Sequence, residues 1–342
     1  MTPILFPTPL KHRNFDVVRE FFIDLVSFAP PGKIIALLGP TQAGKSLICE
    51  KLVASLKISH RPKALNEMPV VHIVLGTGND GRVSPKLIGM KLLKAVNHPI
   101  YGHVGDMDEV SHYVPSRWNT ESNMILAVEN AYESRKTVCS IMDEAHHATY
   151  TKDPKVRKGV LDAVKCLSAI NRTLVLIGGY ELAYSGFFDS AHFAGRVVCV
   201  ELAPYTTHNS DLEEWRRILS FLSSKIQLEP KTLLLDKAEL LLVATNGVFG
   251  LLEKLLWLAK AMSRGRPITH KTLVAAFPSQ SEHDVIREDI NRGQKALKKY
   301  EVLVPPGLRP EEGVERSIKR KTKPFKCKPN RRQPAYPKMG HE

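Results

Sequence analysis

The stretch IIALLGPTQAGKS, residues 34–46, joins an apolar run to a glycine-rich segment of the form G-x-x-x-x-G-K-[ST]. The apolar run predicts a strand that is buried on both faces, and residues 45–56 continue with the spacing of a helix. A strand that enters a helix through such a segment is the arrangement in which this pattern holds phosphate. The stretch therefore predicts a P-loop.

The residue types in this P-loop indicate how it would bind ATP. Its glycines let successive backbone N–H groups turn toward a phosphate, and the N-terminus of the helix adds partial positive charge. Lys45 would reach the β- and γ-phosphates, and the Ser46 hydroxyl would ligate Mg²⁺. No Asn-Lys-x-Asp motif for reading guanine occurs in the chain, which favours ATP over GTP. The predicted contacts with ATP are Gly39, Pro40, Thr41, Gln42, Ala43, Gly44, Lys45, Ser46 and Leu47.

The same alternation of strand and helix continues to about residue 205. Apolar runs that predict strands lie at residues 33–38, 70–75, 137–142, 173–177 and 197–202. Helical patterns lie between them, at residues 85–96 with Ser84 as the cap, 120–133 and 155–170. Strands that alternate with helices predict a parallel sheet with helices on both faces. The predicted fold is a three-layer α/β P-loop NTPase domain with a five-stranded parallel sheet.

After residue 204 the pattern is helical only. Asp211 is expected to cap the first helix, and further helices are predicted at residues 237–244, 249–262, 269–277 and 281–299. Residues 302–342 contain eleven Lys or Arg and four Glu, with many prolines and few large apolar residues, so this segment cannot bury enough surface to fold alone. The predicted domains are an α/β core at 1–205, a helical lid with a C-terminal helix at 206–299, and a flexible basic tail at 300–342.

A second strand end carries two carboxylates. Residues 138–144, VCSIMDE, read as a buried strand that ends in Asp143 and Glu144. Ligands in such sheets bind at the carboxyl ends of the strands, so Asp143 is expected to hold Mg²⁺ and Glu144 to orient and deprotonate a water. With the P-loop, this pair predicts ATP hydrolysis. The adjacent His146 and His147 are expected to diverge, which argues against a shared metal ion.

Two further strand ends bear on the same chemistry. The strand at 173–177 ends in Gly178 and Gly179, where a polar residue that senses the γ-phosphate is often found; only Tyr180 and Glu181 are close by, and the role is unassigned. Arg196 precedes the fifth strand, at the rim away from its own nucleotide. It could enter the site of a neighbouring subunit as an arginine finger, or it could be an ordinary surface arginine.

Composition narrows the partners and the compartment. The formal net charge of +14 favours polyanions such as nucleic acid. No run of about eighteen apolar residues predicts a membrane span, and the first residues lack the pattern of a secretory signal. The five cysteines have neither paired nor metal-binding spacing, which suits free thiols in a reducing cytoplasm.

With these segments in place, residues 15–299 resemble the AAA+ ATPases, and among them the bacterial transposition regulators of the TnsC, TniB and MuB group. The P-loop and the Asp-Glu pair are shared by many ATPases. Narrower features of the resemblance are RNF at residues 13–15, PPG at 30–32, the strand and loop at 70–96, MDEAHH at 142–147, LDAVKCL at 161–167, LIGGYEL at 176–182 and GR at 195–196.

The resemblance implies an ATP-dependent homo-oligomer, a ring or a filament, on double-stranded DNA in the bacterial cytoplasm. Such proteins connect target-selection proteins to a transposase. By this resemblance Arg196 is the intersubunit finger, and residues 76–82 and 101–118 lie near the DNA. Candidates for phosphate contacts are therefore Lys86, Lys91, Lys94, His103 and Arg117.

The chain also departs from its relatives. Gly179 stands where they commonly have threonine, and the helix after Gly247 lacks the usual arginine that senses nucleotide; either difference would suit slow hydrolysis. Two other readings stay open: an AAA+ ATPase of DNA repair, helicase loading or secretion, and a basic scaffold that holds ATP without hydrolysing it. The basic tail could attract DNA or dock a partner protein.

Overall fold

The computed structural model describes residues 10, 12–78, 81–99, 101, 120–150, 153–168, 172–189, 193 and 195–308. All five predicted strands are present, each within two residues of its predicted bounds: β1 (Ile34–Leu38), β2 (Val70–Val74), β3 (Cys139–Asp143), β4 (Thr173–Gly178) and β5 (Val197–Glu201). Three strands of two residues each follow: β6 (Leu228–Glu229), β7 (Ile268–Thr269) and β8 (Val302–Leu303).

The helices also follow the predicted order. They are α1 (Arg13–Ser27), α2 (Lys45–Ser59), α3 (Pro85–Ala95), α4 (Glu121–Ser134), α5 (Pro154–Leu167), α6 (Glu181–Tyr184), α7 (Asn209–Lys225), α8 (Leu233–Asp236), α9 (Ala238–Ala244), α10 (Phe249–Met262), α11 (His270–Ala275) and α12 (Gln280–Leu297), with 3-10 turns at Ala145–Thr149 and Pro306–Leu308. Ser84 caps α3 as predicted, because its Oγ accepts from the Leu87 N–H at 3.2 Å.

The prediction that Asp211 caps α7 is wrong. The helix begins at Asn209, two residues earlier, and the Asp211 carboxylate instead accepts from the backbone N–H and the hydroxyl of Thr206, at 2.9 and 2.7 Å. Arg13 also donates to this carboxylate. Asp211 therefore joins the start of α1 to the turn before α7, a long-range contact that the local pattern did not indicate.

The main sheet is parallel, in the order β2-β3-β4-β1-β5-β8, and β1 lies between β4 and β5. Every residue of β1 is buried, and alternate residues face different layers. Ile34, Ala36 and Leu38 pack in the hydrophobic cluster that contains α3, α4 and α6. Ile35 and Leu37 pack in the cluster that contains α1 and α2. The structure thus confirms the three-layer α/β prediction.

The sheet has six strands where five were predicted. Val302 and Leu303 of β8 pair with Cys199 and Val200 of β5, and the turn at Pro306–Leu308 contacts α1. The segment predicted to be a flexible tail from residue 300 is therefore folded as far as residue 308. The remainder of the predicted tail, residues 309–342, lies outside the described residues.

A third hydrophobic cluster lies among the helices that follow β5. Trp215 is fully buried at its centre, and its indole Nε1–H donates to the Ala238 carbonyl at 3.2 Å. This cluster belongs to one compact unit that extends to Leu308, so a division between core and lid at residue 205 stays a prediction. Among the described helices none is long and apolar enough to span a membrane alone; α9 and α10, bent by 107° at their junction, meet that test of length and composition only as a pair.

Helix α12 returns from these helices to the sheet. A Cβ atom added to Gly293 would lie 2.1 Å from the Tyr180 ring, so the helix backbone and this ring are in direct contact. The Tyr180 hydroxyl and the Gln294 amide both donate to Glu201 Oε1, at 2.6 and 3.1 Å. Because α12 is fixed to the residues after β4 and to the end of β5, its position is set by the α/β core.

His12 connects three parts of the fold. It is 6% exposed, its Nδ1 lies 2.9 Å from the Tyr205 hydroxyl, and its ring packs against Phe15 and Phe249. Burial lowers the pKa of His12 from 6.5 to about 4. The folded protein therefore keeps this imidazole neutral in mild acid, whereas the unfolded chain protonates it.

We predict that His12 makes folding sensitive to acid between its unfolded and folded pKa values. Stability should be unaffected above about pH 6.5 and should fall by about 2–3 kcal/mol between pH 7 and pH 4.5, because only the unfolded state binds the proton. Urea unfolding at both pH values measures this loss, which should shrink in His12→Asn and persist in the control His270→Asn, an exposed histidine. An equal loss of stability in His12→Asn and wild type would contradict the prediction.

Candidate nucleotide site

A cavity of about 880 Å³ opens at the carboxyl ends of β1, β3 and β4. It is of the size of sites that hold small organic ligands. Residues from the P-loop, from the segments after β3 and β4, and from α10 and α12 line it: Thr41, Gln42, Ala43, Gly44, Lys45, Ser46, Leu47, Glu144, His146, Tyr150, Gly179, Glu181, Gly250, Glu253, Lys254, Trp257 and Asp289.

The P-loop backbone has the curvature that an anion site needs. Gln42 and Gly44 have positive φ angles of 57° and 98°, and Gly44 is the residue before the first turn of α2. Turns of this kind direct successive N–H groups to the inside of the loop, where the helix N-terminus adds partial positive charge. The loop is held from both sides, since added Cβ atoms at Gly44 and Gly250 would lie 3.1 Å from the Phe15 ring and 2.2 Å from the Gln42 carbonyl.

The structure brings the predicted phosphate-binding residues together. Those from Thr41 to Leu47 all line the cavity. Gly39 and Pro40 contribute differently, because their carbonyls accept from Lys45 Nζ at 3.0 and 2.6 Å. A Cβ on Gly39 would also lie 2.8 Å from the Leu202 carbonyl, so the loop begins in close contact with the end of β5.

Lys45 is a partly buried ammonium group among carboxylates. Burial lowers its pKa, and the negative charges of Glu144, Glu181, Asp143 and Asp289 act in the opposite direction. Two of these carboxylates were expected from the sequence. Carboxylates therefore outnumber the two lysines that line the cavity, Lys45 and Lys254.

Asp143 and Glu144 lie where the strand pattern placed them. Asp143 is buried at the end of β3 and accepts the Glu144 N–H at 2.8 Å. Glu144 has a positive φ of 55°, and its partly exposed side chain lines the cavity. The oxygen atoms of Asp143 and Ser46 are the ligand type that Mg²⁺ prefers, so both residues fit the predicted metal site. When bound, Mg²⁺ would supply positive charge to phosphate oxygens.

The prediction that His146 and His147 diverge is wrong. Their rings stack with centroids 4.5 Å apart, and His146 Nδ1 lies 3.3 Å from Glu144 Oε2 and 3.4 Å from the Gly179 nitrogen. Burial lowers the pKa of His146, against the charges of Glu181 and Glu144. Both histidines belong to the 3-10 turn after β3, and both rings pack against Tyr150, the residue that follows this turn. This shared contact holds the two rings side by side.

Two groups of side chains in the described residues have ligand atoms close enough to share a metal ion. One is Glu144, His146 and His147, and the other is Cys49, His72 and Asp143. In the second group Cys49 Sγ lies 3.4 Å from His72 Nε2, but burial raises the pKa of this thiol to about 12. Since metals bind thiolate, the Cys49 group is poorly suited to a metal ion.

Glu181 occupies the space beside Gly179. A Cβ atom added to Gly179 would lie 2.0 Å from Glu181 Oε2, so a side chain at position 179 would displace this carboxylate. Tyr180, the other polar residue near this strand end, is fully buried and bonds Glu201 instead. Of the two candidates for the unassigned polar position, Glu181 is the one that faces the cavity.

The contribution of α10 and α12 was not predicted. Gly250, Glu253, Lys254 and Trp257 line the cavity with spacings of three and four residues, which places them on one face of α10. The same helical spacing occurs among the apolar residues of α10, which face the hydrophobic core. The spacing alone therefore does not indicate which face of the helix lines the nucleotide cavity. Asp289 of α12 had no local signal at all, since it follows the P-loop by more than 240 residues.

Arg196 lies at the opposite end of the sheet from the cavity. It is exposed at the start of β5, and its carbonyl accepts from the Ile34 N–H at 3.0 Å, at the start of β1. The P-loop follows the other end of β1, about 16 Å away along a five-residue strand. Arg196 therefore does not line the cavity of its own chain, as predicted from its position.

Three of the five DNA-contact candidates are described, all on α3. Lys94 is exposed, Lys86 and Lys91 are partly buried, and Lys91 Nζ donates to the Val74 carbonyl at 2.9 Å. This hydrogen bond places Lys91 at the carboxyl end of β2, on the same edge of the sheet as the P-loop. His103 and Arg117 lie outside the described residues. DNA binding stays a prediction.

Fold and site together define a P-loop domain with the α/β fold of AAA ATPases. In agreement, residues 31–184 match the family model described as the AAA domain. The match runs from the start of β1 to the end of α6 and includes the P-loop, Asp143 and Glu144.

Two solved structures are similar to this chain over more than the matched segment. The ORC2 protein of Aeropyrum pernix, in ADPNP-ADP complexes, is similar with a TM-score of 0.50 and 12% identity over 83% of this chain and 74% of that one. The Walker-type ATPase PABY2304 of Pyrococcus abyssi has a TM-score of 0.47 and 14% identity over 86% and 79% of the two chains. No curated protein matches the sequence. At these identities the likeness concerns the fold alone.

We predict that binding and hydrolysis of ATP separate in two variants of the site. Lys45→Ala should weaken binding of a fluorescent ATP analogue at least tenfold, because it removes the cation of the P-loop. Glu144→Gln should keep that affinity and slow phosphate release on the order of a hundredfold, because it removes the general base. Lys51→Ala, at an exposed position of α2, is the matched control and should change neither quantity. Normal turnover in Glu144→Gln would show that another group activates the water.

Proposed function

We propose that this protein is an ATP-hydrolysing regulator of transposition, which oligomerises on duplex DNA and links target-selection proteins to a transposase. The AAA-type fold and the P-loop support the ATPase part of this proposal. The sequence segments that resemble those of the TnsC, TniB and MuB group support the transposition part. The observation that carries the assembly part is the separation of Arg196 from the cavity of its own chain.

The cations of the cavity explain why a second subunit is needed. Among the described lining residues Lys45 and Lys254 are the only lysines or arginines, and Lys254 Nζ pairs with Glu282 at 2.6 Å. Transfer of a phosphoryl group to water spreads negative charge over the phosphoryl oxygens, which an arginine stabilises well. An exposed Arg196 at the far rim can serve the site of the next subunit in a head-to-tail assembly.

Electrostatics supports DNA as the surface on which the subunits assemble. The net charge is +14, and α3 carries three lysines, of which Lys91 contacts the carboxyl end of β2. Lysines that contact phosphates without reading bases give affinity without sequence preference. A protein that couples many target sequences to one transposase requires that kind of binding.

We predict that two inactive variants complement one another. With duplex DNA present, Arg196→Ala and Glu144→Gln should each be nearly inactive as ATPases. Their equimolar mixture should recover about a quarter of the wild-type rate, because one site in four then combines an intact Glu144 with an intact Arg196 from its neighbour. Phosphate release measures this recovery.

The controls for this mixing experiment distinguish shared sites from other effects. A mixture of Lys45→Ala and Glu144→Gln should stay inactive, because both changes damage the same half of the site. Arg264→Ala removes another exposed arginine and should remain active alone. If the mixture of Arg196→Ala with Glu144→Gln showed no recovery, the proposed shared site would be wrong.

We predict that the α3 lysines contribute to the salt dependence of DNA binding. Neutralising Lys86, Lys91 and Lys94 to glutamine should reduce the slope of log K against log salt by up to about 0.9 for each DNA phosphate that is no longer neutralised. Fluorescence anisotropy with a labelled duplex and a slowly hydrolysed ATP analogue measures the slope. The matched control replaces three exposed lysines elsewhere with glutamine, Lys231, Lys260 and Lys271. Equal slopes in the two triple variants would remove α3 from the DNA-binding surface.

A further inference from the structure

Asp289 extends into the nucleotide cavity from outside the AAA domain match. It is the one residue of α12 among the described lining residues. Its Oδ1 accepts from the Tyr184 hydroxyl at 3.0 Å, and Tyr184 is the last residue of α6, the helix that follows β4. The carboxylate therefore lies on the side of the cavity formed by the ends of β3 and β4.

The helix that carries Asp289 is rigidly placed. Ile290, the next residue, is buried, and four residues beyond Asp289 the backbone at Gly293 touches the Tyr180 ring. Gln294 donates to Glu201 at the end of β5 at 3.1 Å. Arg292 lies over the Tyr184 ring, with 4.1 Å from its guanidinium carbon to the ring centroid. Asp289 is thus a fixed part of the site, whereas an exposed surface carboxylate would move freely.

The charges around Asp289 are unfavourable for another anion. Four carboxylates act to raise the pKa of Lys45. Two of them, Asp143 and Glu144, have expected roles with Mg²⁺ and water. Glu181 and Asp289 are additional. Burial raises the pKa of Asp289, and the nearby charge of Glu181 raises it further, while Tyr184, Lys45 and Arg292 act in the opposite direction. The site thus already contains more negative charge than its own cations balance.

The position of Asp289 in the cavity determines which phosphate of a bound nucleotide its negative charge would oppose. Lys45 reaches the β- and γ-phosphates, and Glu144 acts on water next to the γ-phosphate. Asp289 bonds Tyr184 on the helix after β4 and lines the cavity together with Glu144 and Glu181, so its charge belongs to the Glu144 side of the cavity, where the γ-phosphate would lie. ADP does not extend to that position, but ATP places additional negative charge there.

We propose that Asp289 sets the preference of this site between ATP and ADP, by opposing the γ-phosphate. The inference rests on the proposed function, since it presumes that the cavity binds an adenine nucleotide. A neutral side chain at position 289 should strengthen binding of the triphosphate more than binding of the diphosphate. The effect of the natural carboxylate is to favour the product state unless additional positive charge enters the site.

The test compares Asp289→Asn with wild type in the full chain. Calorimetry with Mg²⁺ gives the dissociation constants for ADP and for AMP-PNP, a slowly hydrolysed ATP analogue. The ratio of the ADP constant to the AMP-PNP constant should rise on the order of three- to tenfold, from the removal of one charge acting through a partly aqueous site. Asparagine keeps an oxygen that can accept from Tyr184, so the local packing is retained. Asp289→Ala is a second neutral variant and should shift the ratio in the same direction.

Glu288→Gln is the matched control, because Glu288 is the adjacent acidic residue and is exposed. It removes the same charge from the same helix and should leave the ratio unchanged. An unchanged ratio in both Asp289 variants, with wild type binding both nucleotides, would overturn this inference and leave the proposed function intact. An equal rise in Glu288→Gln would also overturn it, since the effect would then be one of overall charge. Failure of wild type to bind either nucleotide would refute the site itself.

Discussion

The burial of β1 on both faces is the constraint on which the rest of this structure depends. Its alternate residues pack against helices on opposite sides of the sheet, so the strand cannot leave the core except at its carboxyl end. There the chain must turn at once into α2, and Gly44 at a φ of 98° makes that turn possible. The curvature of the P-loop, with positive φ angles at Gln42 and Gly44, therefore lies where a fully buried strand is connected to a helix.

The same geometry brings several carboxylates to the nucleotide site. Parallel strands bring their carboxyl ends to one edge, and in this protein those ends carry Asp143, Glu144 and Glu181 as well as Lys45. Asp289 adds a fourth carboxylate from α12. Under the proposed function, Mg²⁺ and an arginine of a neighbouring subunit would supply positive charge to a bound polyphosphate. If the proposed assembly forms, nucleotide binding and assembly would be coupled through charge balance.

The sequence predicted what depends on local pattern. Five strands are found within two residues of their expected bounds because continuous apolar runs have few alternatives in a parallel sheet. The P-loop and the Asp143-Glu144 pair were predictable for the same reason, since their chemistry is contained in a few adjacent residues. Strand β8 was not, because two residues next to prolines carry no periodicity, and their pairing with β5 is decided by where α12 ends.

Three glycines lie at close tertiary contacts that the local sequence pattern could not predict. Gly179, Gly250 and Gly293 have ordinary backbone angles, so no turn demands them, yet an added Cβ at each would lie about 2 Å from another group. At Gly179 that group is the Glu181 carboxylate, and at Gly250 it is the Gln42 carbonyl of the P-loop. Gly179 and Gly250 thus lie in close contacts at the edge of the nucleotide cavity. A longer side chain at Gly250 would separate α10 from the P-loop, and one at Gly293 would separate α12, with Asp289, from the core. The close contacts at Gly250 and Gly293 and the position of Asp289 therefore belong to one arrangement, in which helices α10 and α12 pack directly on the α/β core beside the nucleotide cavity.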